Sequence, residues 1–418
     1  MVQSQTGHAV DFDLNDADIV RDPYPIFSTL REHDPVHWSP ALRAWILTRF
    51  DDVRDALQNA EYTADRMSPF VHASERHGRS KAAELGRLLR HWVVFHDPPD
   101  HLRLRRLLNR AFTPREMKKL EPRVEATVHQ LLDAFTSRGE TDLIADFAYP
   151  LPALVIMRML GVPDRDLEQV RVWSEELGTF IGHSVEADRY ERAHTAITEM
   201  AEYFRRMAHD RRKQPQDDIV SQLVGAMDEQ GSISEDELAC NALYLLFAGH
   251  ETTTNLIGNG IYHLLRNPEQ YRLLTENRAL LPSAVEEFLR YESPAFSSVR
   301  VAAQDITLHG TTMHEGERVV AFHSAANRDP AVFTDADRLD VTRDPNPHIA
   351  FGVGVHYCLG APLARMEGRI VFDALLQRLP ELSLQETDLP WTAQLIVRGV
   401  ERLPLSFRAT PPLRRASA

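Results

Sequence analysis

Two cysteines are present, Cys240 and Cys358, and their surroundings differ. Cys358 lies in FGVGVHYCLGAPLAR, residues 351–365, among Gly352, Gly354 and Gly360. Glycines there permit tight turns and let the backbone approach a flat partner closely. Downstream, Leu363, Met366 and Ile370 recur at helical spacing behind Pro362, which puts Cys358 just before a helix N-terminus. The free N–H groups and dipole of such an end favour an anion, here a thiolate. A thiolate among apolar neighbours suits ligation of a soft metal or nucleophilic attack. Nucleophilic catalysis needs a histidine base in reach. His356 is close in sequence, but two residues upstream in a turn it usually points elsewhere, and no oxyanion signature accompanies it. Cys240, in ELACNALYLL, reads as a small buried residue of a helix.

Three further stretches carry chemically capable residues. AGHETTT, residues 248–254, sets Glu251 and Thr252 beside the small Ala248 and Gly249, which leave space for a ligand. A carboxylate and a hydroxyl can order water and pass protons. Threonine hydroxyls also bond back to helix carbonyls. EEFLR, residues 286–290, places Glu287 and Arg290 three apart on one helical face, able to pair. In DPPDHLRLRRLLNRAF, residues 97–112, helical spacing puts His101 and Arg105 on the side of Leu104 and Leu108, with Arg103, Arg106 and Arg110 opposite. A purely solvated basic face would not mix its cations with leucines in this way. A lone thiolate cannot hold zinc. It can be the axial ligand of a haem iron, because a porphyrin supplies four other bonds.

These residues need a large scaffold. The chain has 418 residues, 43% hydrophobic and 26% charged, enough for a deep core that encloses a cofactor and a substrate. Acidic residues number 61 against 47 basic, so bulk charge gives no reason to expect nucleic-acid binding. No run of about 20 apolar residues is present, so no membrane span is expected. The stretch MVQSQTGHAVDFDLNDADIV lacks the layout of a signal peptide, and a cytoplasmic location is expected. Helical periodicity dominates from about 115 to 295. TPRE makes Thr113 an N-cap with Pro114 next and Glu116 in a capping box, and SEDE repeats the device with Ser234 and Glu237. The helix from Ser234 is expected to reach Arg266, stopped by Asn267-Pro268. Short antiparallel strands are expected over 298–322, with turns at His309-Gly310 and Glu315-Gly316, and another pair near 382–407.

Taken together, FGVGVHYCLGAPLAR resembles the haem-binding signature of the cytochrome P450 family: Phe351, Gly352, a basic residue two before the cysteine, Cys358, Gly360 and the alanine after it. The resemblance runs from DPYPIFSTLR near the start to RGVERLPL near the end. It implies a mostly α fold with a minor antiparallel β part, one domain over 1–418 with frayed tails at 1–20 and 409–418. Haem b, iron protoporphyrin IX, would lie between the long central helix (the family's I helix) and the helix after the cysteine (its L helix). Carried over residue by residue, the resemblance makes Cys358 the thiolate ligand and Glu251 and Thr252 the proton-delivery pair. His101, Arg105, Arg300 and His356 would hold the haem propionates, and Phe351, Gly352, Gly360 and Ala248 would touch the macrocycle. Glu287 and Arg290, with Arg328 as third member, would form a buried structural pair.

The resemblance implies a substrate pocket drawn from the loop at 64–95, the segment around 176–184, Leu245 and Ala248, PAFSSV (294–299) and QLIV (394–397), in which Phe296, Val299, Leu395 and Ile396 suggest an apolar cavity. Arg103, Arg106 and Arg110, with Arg365 and Arg369, would form a basic patch that docks an acidic donor, a ferredoxin served by a reductase and NAD(P)H. The implied activity is insertion of one atom of O2 into an apolar small molecule, by hydroxylation or epoxidation, in a monomer without nucleic-acid or membrane partners. The alternatives are a peroxide-driven peroxygenase, against which Glu251-Thr252 argues, a non-catalytic haem sensor, and a Cys–His hydrolase.

Overall fold

The longest element is the most completely capped. In a computed structural model describing residues 11–181, 188–230 and 232–413, a helix runs unbroken over Glu235–Arg266, 32 residues. At 1.5 Å per residue that is about 48 Å, enough to cross the molecule. The Ser234 hydroxyl accepts from the Glu237 N–H (3.1 Å), and the Glu237 carboxylate accepts from the Ser234 N–H (2.9 Å), closing the expected capping box. At 113–116 only half of that device forms. Thr113 caps the Glu116 N–H, but the Glu116 carboxylate turns to Lys119 at 2.9 Å.

The helices that matter for the site are α1 (Met67–Arg76), α2 (Ser80–Leu89), α3 (Asp100–Leu108), α4 (Pro114–Asp133), α5 (Pro150–Leu160), α6 (Arg189–Lys213), α7 (Glu235–Arg266), α8 (Leu281–Tyr291) and α9 (Ala361–Arg378). Around α7 pack α5, α6, α8 and α9. α5 crosses it closely because Gly249 has no side chain: a Cβ there would lie 2.9 Å from the Ile156 Cγ1. The Thr254 hydroxyl bonds the Ala148 carbonyl across the same contact at 3.1 Å. Phe288 of α8 and Phe372 of α9 meet at 4.7 Å between ring centres.

The β part is small. Strands β1 (Val36–Ser39), β2 (Ala44–Leu47), β3 (Tyr62–Thr63), β4 (Glu140–Asp142), β5 (Ser297–Ala302), β6 (Ile306–Leu308), β7 (Thr311–Met313), β8 (Arg318–Phe322), β9 (Ser383–Leu384) and β10 (Pro404–Ser406) form three sheets. Their orders are β1-β2-β8-β5-β3, β4-β10-β9 and β6-β7. β5 and β8 pair antiparallel, with Arg300 opposite Val319. The β6–β7 turn is His309-Gly310, both at positive φ (53° and 83°), as that dipeptide led one to expect. Among the described residues no helix is long and apolar enough to cross a membrane.

Fraying at 1–20 and 409–418 does not hold where the chain is described. Phe12 is fully buried in an aromatic cluster with Phe27, Phe296 and Phe322. Asp16 caps a short helix, Ala17–Arg21. At the other end the Thr410 N–H donates to the Thr136 carbonyl at 2.9 Å, and the Leu413 N–H to Asp133 at 3.0 Å. Apolar burial at one end and backbone pairing at the other hold segments whose polar composition resembles loose tails. Residues 1–10 and 414–418 lie outside the described residues.

Candidate active site

The Cys358 loop is built by backbone geometry. Gly352 and Gly354 adopt φ of 68° and 71°, which side chains disfavour, and the Cys358 N–H closes the loop on the Phe351 carbonyl at 2.8 Å. Asn327 holds the loop from outside, accepting from the Ile349 N–H at 2.8 Å and donating to the Ser293 hydroxyl at 2.8 Å. Burial pushes the Cys358 thiol up. The N–H groups of Gly360 and Ala361, at the start of α9, and the guanidiniums of Arg105 and Arg365 pull it back down. Such a thiol gains a partner for its charge by binding a metal cation. No cluster of three or more His, Cys, Asp or Glu is placed to hold a metal among the described residues, so the protein offers Cys358 as a lone ligand.

Cys358 opens onto a cavity of about 280 Å³. Leu359, Gly360, Leu363 and Ala364 line it on the cysteine side. Leu245, Ala248, Gly249, Thr252, Thr253 and Leu256 of α7 form another wall. Phe351 and Gly352 complete the loop side.

The charges that line this cavity are all arginines, with buried histidines beside them. His101, Arg105, Arg300 and His356 all reach it. Burial, then Arg105, pushes His101 down to about 4, and burial, then Arg300, pushes His356 down to about 3. Burial likewise lowers Arg300 to about 10, against the pull of Asp97. The two imidazole rings lie 4.2 Å apart, and His101 Nδ1 and His356 Nε2 are buried without a hydrogen-bond partner. Arg105 donates to the Tyr357 carbonyl and to Asn109, and Arg300 to the Val299 carbonyl. Neither arginine meets a carboxylate within ion-pairing distance among the described residues. Buried cations without counterions call for an anion from outside the chain. A flat macrocycle carrying two carboxylates and an iron that takes one thiolate fits this donor set.

On α7 the two proton-delivery candidates separate. The Thr252 hydroxyl lies on the cavity wall and donates to the Ala248 carbonyl at 3.3 Å. Glu251 is not part of that wall; it lies near Tyr149, and burial pushes its carboxyl up to about 7.

The pocket expectation divides. Leu245 and Ile396 line the cavity, joined by Leu289, Pro294, Ala295 and Ser298. Phe296, Val299 and Leu395 do not line it: they are 2%, 3% and 1% exposed, in the cluster around Phe12 and Phe27 on another side of the sheet. In the 176–184 segment, Phe180 packs with Phe70 and Tyr190, while 182–184 lie outside the described residues.

The basic patch is also corrected. Arg103 binds Glu237 at 2.6 Å, and Arg365 binds Glu286 at 2.7 Å and lies over the Phe351 ring. Arg369 approaches Glu121 at 4.0 Å. Arg106 and Arg110 are exposed, with no ion pair among the described residues. Glu287 and Arg290 pair at 2.8 Å with no exposed surface. Their third member is Arg343, at 3.1 Å from Glu287, and not Arg328, which lies over the Tyr24 ring and bonds the Tyr291 carbonyl. From the expected 64–95 loop, Arg66, Val93 and Val94 reach the cavity, whereas Tyr244 and His323 are among the lining residues that the sequence did not single out. Arg66 stands three residues past the end of β3, whose pairing with β5 brings it toward Arg300, and no local pattern announces that.

The family model described as Cytochrome P450 matches residues 179–397. The biotin biosynthesis cytochrome P450 of Bacillus subtilis (strain 168) is 37% identical over 393 residues, 94% of this chain and 98% of that protein. The mycinamicin IV hydroxylase/epoxidase of Micromonospora griseorubida is 42% identical over 367 residues, 87% of this chain and 89% of that protein. The structure of P450BioI in complex with hexadec-9Z-enoic acid ligated acyl carrier protein superposes with a TM-score of 0.87 at 36% identity, covering 94% of this chain and 99% of that one. A lone thiol at a glycine loop, a cation-lined cavity beneath a threonine-bearing helix, and likeness over nearly the full length lead to one assignment: the chain belongs to the cytochrome P450 family.

Proposed function

We propose that this cytochrome P450 monooxygenase hydroxylates or epoxidises an apolar small molecule, using electrons from NAD(P)H passed through a separate ferredoxin reductase and ferredoxin in the cytoplasm, the whole chain acting as one domain and as a monomer. The observation that carries the reading is the placement of Cys358 and Thr252 on walls of one cavity whose lining charges are all arginines. Bound haem supplies the reductive activation of dioxygen.

The chain's own part follows from its geometry. Cys358 Sγ would hold the haem iron, with the Gly360 and Ala361 N–H groups sharing the negative charge of the thiolate. His101, Arg105, Arg300 and His356 hold the propionates by charge-assisted bonds. The Thr252 hydroxyl, on the cavity wall, holds a water and passes protons inward. Glu251, with a carboxyl that titrates near 7, restocks that water with protons by swinging from the Tyr149 side. Leu245, Leu289, Ala295 and Ile396 exclude bulk water and receive the apolar part of the substrate. Arg106 and Arg110 supply the exposed charge for the donor. Among the relatives, one is named a mycinamicin IV hydroxylase/epoxidase, one a vitamin D(3) 25-hydroxylase, and one is solved with a fatty acyl carrier protein, and such ligands suit an apolar cavity.

The test is spectral and then kinetic. The reduced protein with carbon monoxide is expected to show the red-shifted band of a thiolate-ligated haem, lost in Cys358→Ser. Turnover with NADPH and a ferredoxin pair is expected to exceed turnover with peroxide. A normal band in Cys358→Ser refutes the ligand assignment, and faster peroxide turnover favours a peroxygenase.

A further inference from the structure

The Val299 carbonyl accepts two hydrogen bonds, from Arg66 Nη1 at 2.9 Å and from Arg300 Nη1 at 3.1 Å. Two guanidiniums thus converge on one oxygen. Arg66 packs over the Phe95 ring, 4.5 Å from its centre, so one face is closed to water. A guanidinium has five N–H donors, and one of those on Arg66 is spent on protein. Burial, then the charges of Arg300 and Arg318, pushes it down to about 9. None of the three arginines pairs with a carboxylate among the described residues. Asp97, whose charge Arg300 feels, is occupied by the Thr63 hydroxyl and by the Ala64 N–H at 3.0 Å. On the same cavity wall His323 is 4% exposed, and neither of its ring nitrogens has a partner.

Like charges on a shared acceptor repel, and desolvation makes the repulsion worse. The arrangement is relieved by an anion with two acceptor oxygens set between the forks, which is what a carboxylate offers. We propose that Arg66 and Arg300 form a carboxylate clamp in the cavity, with Arg66 as a binding residue in its own right. The clamp rests on the reading of this cavity as a haem-thiolate pocket. The carboxylate has two sources, a propionate of the cofactor or an acid group on the substrate.

The haem-loaded wild type, Arg66→Gln and Arg66→Lys are compared in two measurements. One is the rate at which haem passes to apomyoglobin. The other is the dissociation constant of dodecanoic acid against that of 1-dodecanol, read from the spin-state change of the ferric protein. A propionate source gives haem release about tenfold faster in Arg66→Gln, with an unchanged acid-to-alcohol ratio. A substrate source gives unchanged haem release and loss, by about tenfold, of a wild-type preference for the acid. In either case Arg66→Lys, which keeps the charge but not the fork, falls between. Haem release and ratio both within about twofold of wild type overturn the clamp, and so does a wild type without acid preference whose haem release is insensitive to Arg66. Failure of the wild type to give a thiolate-type carbon monoxide complex is a separate result that removes the haem reading, and the clamp with it.

Discussion

Removal of the Glu287 charge is expected to destabilise the protein severely, by leaving Arg290 and Arg343 without their shared partner. The Glu287 carboxylate accepts from Arg290 Nε and Nη2 (both 2.8 Å), the Asp340 N–H (2.8 Å), Arg343 Nε (3.1 Å) and Asn346 Nδ2 (3.1 Å). Arg290 spends its remaining donors on the carbonyls of Asn327, Ala336 and Arg338. Breaking a buried pair costs about 3–5 kcal/mol, because the surviving charge stays buried and unmatched. Glu287→Ala is therefore expected to lose about that much. Glu287→Gln keeps the shape but turns an N–H group toward two guanidiniums, for a loss of roughly 2–3 kcal/mol. The assay is equilibrium unfolding in guanidinium at fixed haem saturation, with coincident fluorescence and circular dichroism transitions. Double-mutant cycles then separate the partners. Coupling of Glu287→Gln with Arg343→Gln is expected at about 1–3 kcal/mol, and with Arg328→Gln below about 0.5 kcal/mol. Equal couplings, or a loss under about 1 kcal/mol for Glu287→Gln, would refute the reasoning.

Two other outcomes are expected. Thr252→Ala is expected to divert electrons from product to peroxide while NADPH consumption continues, with Thr252→Ser close to wild type; an unchanged product-to-NADPH ratio in the alanine variant removes the proton role. Glu367 of α9 is 1% exposed with both carboxylate oxygens unpartnered, and burial pushes it up to about 8. A carboxyl raised in the folded state binds its proton more tightly than in the unfolded chain, so its drag on stability grows as pH rises from about 4.5 to 8. Glu367→Leu is expected to raise the melting temperature by more at pH 8 than at pH 5, and an equal change at both would show that the carboxyl has a partner.

What the sequence disclosed was set by how local each feature is. The Ser234–Glu237 cap, the His309-Gly310 turn and the Cys358 loop each close within a few residues, and residue types alone specify them. Pairings across the fold stayed hidden. Nothing near Arg103 reveals that Glu237 lies beside it, or near Arg343 that it reaches Glu287. The pocket strand shows the limit most directly. β5 is covered on both faces, so five of its six residues are buried and alternation does not identify the side that meets the cavity. Ser298 and Arg300 face it, while Val299 turns toward Phe12 and Phe27. Hydrophobicity favoured Phe296 and Val299 as pocket residues; packing placed them in the core.

Glu237 has a second consequence. One carboxylate caps the long helix through the Ser234 N–H and grips Arg103, on the same helix as His101 and Arg105. The cavity wall built by the long helix and the segment that carries His101 and Arg105 are thereby riveted at a single corner. Segment exchange between relatives would have to move positions 103 and 237 as a unit, since a hybrid that splits them would loosen both walls at the same joint.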